Sequence, residues 1–359
     1  MMKEKKWPVM LLVAGGVTGA LAVLLTVFGN PANMGICVAC FIRDTAGALG
    51  LHSAATVQYL RPEIAGFIVG AFILSLSRRE FRASGGSAPL LRFFISVFVI
   101  IGALVFLGCP LRMVLRLAGG DMNALVGLVG FVSGIALGAV MLKKGFSLGR
   151  AHDQPRASGF MMPALAVALL VFLLVRPAFI RFSETGPGSM HAPVLLALAA
   201  GLVVGGIAQT SRMCMAGGFR DLILIKNPSM LLVYAAVFAA ALIGNLLTGR
   251  VQVGFTGQPI AHTDFVWNFL GMALAGYGSV LLGGCPLRQS IMAGEGSADG
   301  AVCVLGLLVG AAISHNFGLA ASPAGVPLNG QIACVTGFVV LTCIALLNSN
   351  GSRKGSVQA

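Results

Sequence analysis

The sequence predicts an all-α polytopic membrane protein, with about ten transmembrane helices, four short or re-entrant helices and an inverted-topology internal repeat. Three observations predict it. Only 10% of the 359 residues are charged, 57% are hydrophobic, and the mean hydropathy is +0.93, whereas a soluble domain carries about 25% charged residues. Ten apolar runs are long enough to cross a bilayer, for which about 17–25 residues are needed. One five-residue stretch, Gly-Cys-Pro-Leu-Arg, occurs at 108–112 and again at 284–288.

In chain order, the first run spans 8–28 behind Lys3, Lys5 and Lys6. It has the outline of a signal peptide, but it is long enough to span and no small-x-small cleavage site follows, so it reads as a retained helix. Spans follow at 58–77, 90–107, 122–142 and 160–180, then at 192–209, 229–249, 263–283, 298–318 and 329–347. Between them lie 33–50, 108–118, 210–226 and 284–295, too short or polar to span and too apolar for solvated loops. They read as short helices or re-entrant segments, since irregular backbone at membrane depth survives only where protein or a water-filled cavity covers it. The polar stretch 143–158 reads as a linker and 348–359 as a disordered tail. The 49 glycines fit close helix packing.

Basic residues set the orientation. Lys3, Lys5, Lys6, Arg78, Arg79, Arg82, Lys143, Lys144, Arg150, Arg156, Arg353 and Lys354 fall on one side, while the plain loops of the other hold only Arg181 and Arg250. By the positive-inside rule both termini are cytoplasmic. The net charge of +13 is spent on this asymmetry, and no nucleic-acid partner is expected. The chain divides into a first repeat, 1–150 with its fifth span reaching about 180, and a second, 151–359 with spans from about 192. Together they form one membrane domain. Five spans per half is odd, so the second half enters the membrane upside down. This is the plan of many transporters, whose site lies near the midplane where broken helices meet.

The chemistry concentrates in the repeated stretches. Proline suits the first turn of a helix and glycine permits a sharp entry, so Gly108-Cys109-Pro110 and Gly284-Cys285-Pro286 each put a cysteine at a helix start. Such a terminus favours anions. Arg112 and Arg288 follow one turn later on the same face. The bland alternative is a cysteine filling space and an arginine snorkelling; duplication at an offset of 176 weighs for function. A second pair, Cys37 with Arg43-Asp44 and Cys214 with Arg220-Asp221, recurs at an offset of 177. Six residues are about 600° of helix rotation, so cysteine and arginine need not face the same way. The arginines either line a pore or anchor a helix end.

Cys37 and Cys40 also make a Cys-x-x-Cys, the mark of a thiol oxidoreductase. The counterpart of Cys40 is Gly217, so only Cys37 belongs to the duplicated design. Cys303, Cys334 and Cys343 read as packing residues. The Asn30-Pro31-Ala32 and Asn227-Pro228-Ser229 triplets read as turn signals. His52, His152, His191, His262 and His315 make no metal-ligand spacing. No nucleotide-binding loop occurs. No metal site or cofactor is expected.

At these residues the sequence resembles the YeeE/YedE family of bacterial inner-membrane proteins. The stretches that carry the resemblance are RMCMAGGFRDLI at 212–223, GGCPLR at 283–288, LGCPLR at 107–112 and, less closely, GICVACFIRD at 35–44. The resemblance implies an importer of sulfur compounds, thiosulfate above all, with an inverted pseudo-twofold, hourglass-like fold. It implies that Cys109, Cys214 and Cys285 line the path, with Cys37 the inverted equivalent of Cys214. Pro-Leu-Arg after the pathway cysteine departs from the thiosulfate type and is similar to a branch assigned to selenium transport. The expectation is therefore an inner-membrane transporter, not an enzyme, that imports a small selenium- or sulfur-containing anion, selenite-like species first and thiosulfate as the alternative. Its expected pathway residues are Cys37, Cys109, Cys214, Cys285, Arg112, Arg288, Arg43, Arg220, Gly108 and Gly284. The reading from another class is a membrane thiol oxidoreductase using Cys37 and Cys40. The expected partners are the anion, the lipid bilayer and, where basic inner loops would allow docking, a cytosolic sulfur- or selenium-carrier protein.

Overall fold

The computed structural model describes the backbone of residues 2–355 and the side chains of 7–349. Lys3, Lys5, Lys6, Arg353 and Lys354, used above for orientation, lie outside the described side chains. The helices in order are α1 (Met2–Val27), α2 (Val38–Ala48), α3 (Pro62–Ser77), α4 (Pro89–Val105), α5 (Pro110–Ala118), α6 (Asn123–Lys143) and α7 (Arg156–Val175). They continue as α8 (Val194–Ser211), α9 (Met215–Ile225), α10 (Leu231–Leu247), α11 (Phe265–Leu281), α12 (Pro286–Gly294), α13 (Ala298–Asn316) and α14 (Leu328–Gly355). Strands β1 (Ser84–Gly85) and β2 (His152–Asp153) form a small antiparallel ribbon.

The chain is an all-α, multi-span membrane protein. Eight segments are long and apolar enough to cross a bilayer, and two further apolar helices, α3 and α10, have 16 and 17 residues. At 1.5 Å per residue those two are about 25 Å long. The four expected short segments are the short helices α2, α5, α9 and α12. The expected tail is corrected: α14 runs on to Gly355, with Asn348 and Ser349 bonding back to the carbonyls of Ile344 and Ala345. Residues 356–359 lie outside those described. Proline opens α3, α4, α5 and α12 at the first turn, where its missing N–H costs nothing. The span expected at 160–180 ends at Val175 because Arg176 turns left-handed, at φ +50°, ahead of Pro177.

Glycines set the helix pairs by letting backbones touch. Gly15 and Gly19 of α1 meet Val233 and Val237 of α10, and Gly66 of α3 meets Gly201 of α8. Gly130 and Gly134 of α6 meet Phe269 and Ala273 of α11, while Gly306 and Gly310 of α13 meet Phe93 and Val97 of α4. In each pair both residue numbers rise together, so the helices run parallel. At the centre Gly102 of α4 faces Gly271 of α11, and Gly278 faces Val99 and Ile95, so this pair runs antiparallel. The outermost helices break the match: α7 packs on α3, and α14 on α4 and α11.

Buried ion pairs fix the short helices. Arg116, near the end of α5, donates from Nε to Asp121 at 2.6 Å and from Nη1 to the Phe106 carbonyl at 2.8 Å, with both charged side chains fully buried. The other oxygen of Asp121 accepts the N–H of Asn123 at the start of α6. Asp44 in α2 is shared by Arg43 and Arg61, at 2.7 and 2.8 Å. Arg61 also donates to the carbonyls of Pro187 and Met190, which ties α2 to the loop between α7 and α8.

Two contrasts test this packing by thermal unfolding in detergent. A Cβ on Gly15 would sit 2.6 Å from the Val233 oxygen, while one on Gly16 meets nothing within 4 Å. Gly15→Ala is expected to cost about 1–3 kcal/mol by overpacking, and Gly16→Ala to gain up to about 1 kcal/mol from helix propensity. Equal effects would refute the α1–α10 contact. Asp121→Asn strands a buried guanidinium and is expected to cost about 3–5 kcal/mol, whereas Asp153→Asn, in an exposed pair with Arg82, should leave the melting temperature unchanged. A small shift for Asp121→Asn would show that Arg116 is not held as described.

Candidate functional site

Each short helix begins at a cysteine, and the four starts come in two matched kinds. Cys37 caps α2 at φ −140°, ψ 100° and Cys214 caps α9 at φ −146°, ψ 116°. Each sulfur accepts a backbone N–H three residues on, from Cys40 and Gly217, at 3.3 Å in both. Cys109 caps α5 at φ −82°, ψ 170° and Cys285 caps α12 at φ −70°, ψ 168°. Before them Leu107 and Gly283 both turn left-handed, at φ +61° and +79°. That region disfavours a branched residue such as Leu107, so the turn is held by its surroundings. Gly108 and Gly284 then let the arginine stems fold back: a Cβ at either would sit 2.9 Å from Arg112 Cδ or Arg288 Cγ.

The structure gathers these cysteines into two buried clusters. In one, Cys37 adjoins both Cys109 and Cys40. In the other, Cys214 adjoins Cys285. Tyr234 of α10 lies near Cys109, Cys214 and Cys285, and its hydroxyl donates to the Met215 carbonyl at the start of α9. All eight thiols are free. Cys303 and Cys334 are buried as expected; Cys343 is exposed instead of packed.

The arginines divide differently from the cysteines. Arg112 is fully buried. Its guanidinium donates to the carbonyls of Asn33 at 2.7 Å and Ile260 at 3.1 Å, and to Cys40 Sγ at 3.2 Å. Among the described residues no carboxylate pairs with it. Asn33 also lines a cavity of about 60 Å³ with Thr26, Gly119, Arg250, Gln252 and Gln258, which Arg112 itself does not reach, and the buried Asn33 Nδ2 has no partner among the described residues. Arg288 is instead gripped by both oxygens of Glu295, at 3.0 and 3.1 Å. Glu295 also accepts from Arg212, and Arg212 donates to Glu80. The Glu80 carboxyl is held below the usual carboxylate range, first by the hydrogen bond from Gln209 and then by Arg78 and Arg212. Arg43 and Arg220 each bond the aspartate that follows them, which ties them to their own helices, and each lies within electrostatic reach of the cysteines of its helix start.

Sequence reasoning set Cys40 aside as an unduplicated residue, yet its sulfur joins Arg112 to Cys37. It missed Tyr234, whose burial has no local signal, and Glu295, which a comparison of 288–295 with 112–119 would have flagged: Gly119 stands where the second copy has the glutamate.

Thiols are weak donors and a buried guanidinium is a strong one, so the arrangement suits a small, diffuse anion. Two thiosulfate transporters share part of the sequence. TsuA of Escherichia coli (strain K12) is 28% identical over 127 residues, 35% of this chain and 36% of that protein. TsuA of Spirochaeta thermophila is 33% identical over 99 residues, 28% of this chain and 29% of that protein. The matches span about a third of the length of these curated relatives. Residues 210–348, the stretch that holds Cys214, Cys285, Arg288 and Glu295, match the sulphur transport family, and through them this membrane protein carries sulfur-transport homology.

Proposed function

We propose that the protein imports a small sulfur-containing anion, thiosulfate or a species of its shape, along Cys109, Cys37 and Cys40, then Cys214 and Cys285. The observation that carries this is Arg112. A guanidinium taken out of water costs several kcal/mol unless a charge answers it, and among the described residues two carbonyls and a thiol are its partners. A transient anion supplies the missing charge, and S–H groups on either side give it weak, easily exchanged hydrogen bonds.

Several features support an inverted repeat, with α1–α7 matched to α8–α14 and the boundary in 176–193. The α1–α10 contact mirrors α3–α8, and α6–α11 mirrors α4–α13. The central α4 and α11, equivalents of one another, run antiparallel. The loop basic residues support a cytoplasmic position for the side that bears the ribbon, in the inner membrane of a bacterium. The Arg112 cluster then faces outward and the Arg288 cluster inward. Thiosulfate is favoured by the relatives' substrate. Selenite is the second reading, favoured by the arginine one turn beyond each pathway cysteine.

Uptake of radiolabelled thiosulfate and of selenite into proteoliposomes tests this. Wild type is expected to accumulate thiosulfate. A Cys109→Ala, Cys285→Ala double variant should lose uptake. Arg112→Gln should weaken apparent affinity roughly tenfold or more, the worth of a hydrogen bond to a charged group. Full uptake by the double variant would sink the cysteine path, and uptake of selenite alone would reverse the choice of substrate.

A further inference from the structure

We infer that the Arg288 fork is a second anion site, occupied in this conformation by Glu295 acting as a tethered anion. The inference rests on the transport reading above only for the direction in which the substrate moves.

Glu295 meets Arg288 as a bound oxyanion would. Two carboxylate oxygens take two guanidinium nitrogens at 3.0 and 3.1 Å, and one oxygen is shared with Arg212 at 3.0 Å. Planar forks of this kind select carboxylate-like and phosphate-like oxyanions. The grip is not there to stabilise α12. Glu295 is the C-cap of that helix, where the macrodipole favours a cation and disfavours a carboxylate. The matching C-cap of α5 is Gly119, and there the arginine is left without a carboxylate.

The two copies of Gly-Cys-Pro-Leu-Arg therefore present the same backbone and the same guanidinium in opposite electrostatic states. Arg112 has no carboxylate partner among the described residues, and Arg288 is held by one from the protein itself. Both partners of that pair are only 13% exposed, so water screens them little. Glu80 keeps Arg212 engaged when Glu295 lets go, which leaves Arg288 free for the substrate. An anion arriving from the thiols displaces Glu295 from Arg288, and the return of Glu295 expels it. Glu295 thus sets low affinity at the ribbon side and high affinity at the other, the order that suits capture at one mouth and release at the next.

Equilibrium dialysis of radiolabelled thiosulfate against the purified full-length protein in detergent tests this. Wild type is expected to bind at one class of site, lost in Arg112→Gln. Glu295→Gln should add a second class that persists with Arg112→Gln and vanishes with Arg288→Gln. Should Glu295→Gln fail to fold, Glu295→Asp makes the same comparison, since its shorter carboxylate cannot hold the whole fork. Its second site should appear with roughly tenfold weaker affinity than an unblocked one. If the Glu295 variants bind with wild-type stoichiometry and affinity, the inference is overturned. If wild type binds nothing while Glu295→Gln binds through Arg288, the inference stands and the Arg112 reading falls. If no variant binds, both fall.

Discussion

A helix that begins inside a protein leaves its first backbone N–H groups with no water to bind. The rest of this site follows from how four such beginnings are satisfied. At α2 and α9 the cysteine sulfur takes an N–H from three residues ahead, the role a serine or aspartate would take at a wetter terminus. At α5 and α12 a proline in the first turn removes one of the donors outright. A sulfur is a weak acceptor, so a capped thiol stays available to a passing ligand. The requirement for a cap and the requirement for a soft, neutral lining are met by the same atom.

Local geometry recurs closely at the matched helix starts, but beyond the Arg43–Asp44 and Arg220–Asp221 pairs the charges differ. Cap angles, glycine contacts and left-handed turns recur at matching positions, because each is a steric demand of the same chain path. Charged partners obey no such demand, and the two halves differ in them. Arg116 with Asp121 locks α5 and has no counterpart at Met292 and Ser297. Arg288 has Glu295, and Arg112 has a thiol.

Most of the architecture was legible in the sequence. Spans follow from apolar run lengths, short helices from runs too short to span, and helix starts from proline after cysteine. The 49 glycines pointed to close packing without saying which helix meets which. The last two turns of α14 were misread because 348–355 is polar, yet a polar sequence can continue a helix beyond the apolar run. At the site, the duplicated cysteines were visible because duplication is a pattern. Tyr234 and Arg61 were not, since each acts through partners more than a dozen residues away in sequence. Arg43 and Arg220 recur with an ion pair to the next residue in both copies, a detail their spacing from the cysteines did not reveal.

The Cys37–Cys40 contact has a structural role that needs no redox chemistry. In an oxidoreductase the second cysteine exists to attack or resolve the first. Here the backbone N–H of residue 40 caps Cys37, and Gly217 does the same for Cys214 with no thiol at all. The cap therefore does not require Cys40 to be a cysteine. What its sulfur adds is a bond to the Arg112 guanidinium. That places a polarisable atom between the buried Arg112 and Cys37, a place that Gly217 leaves empty in the second copy.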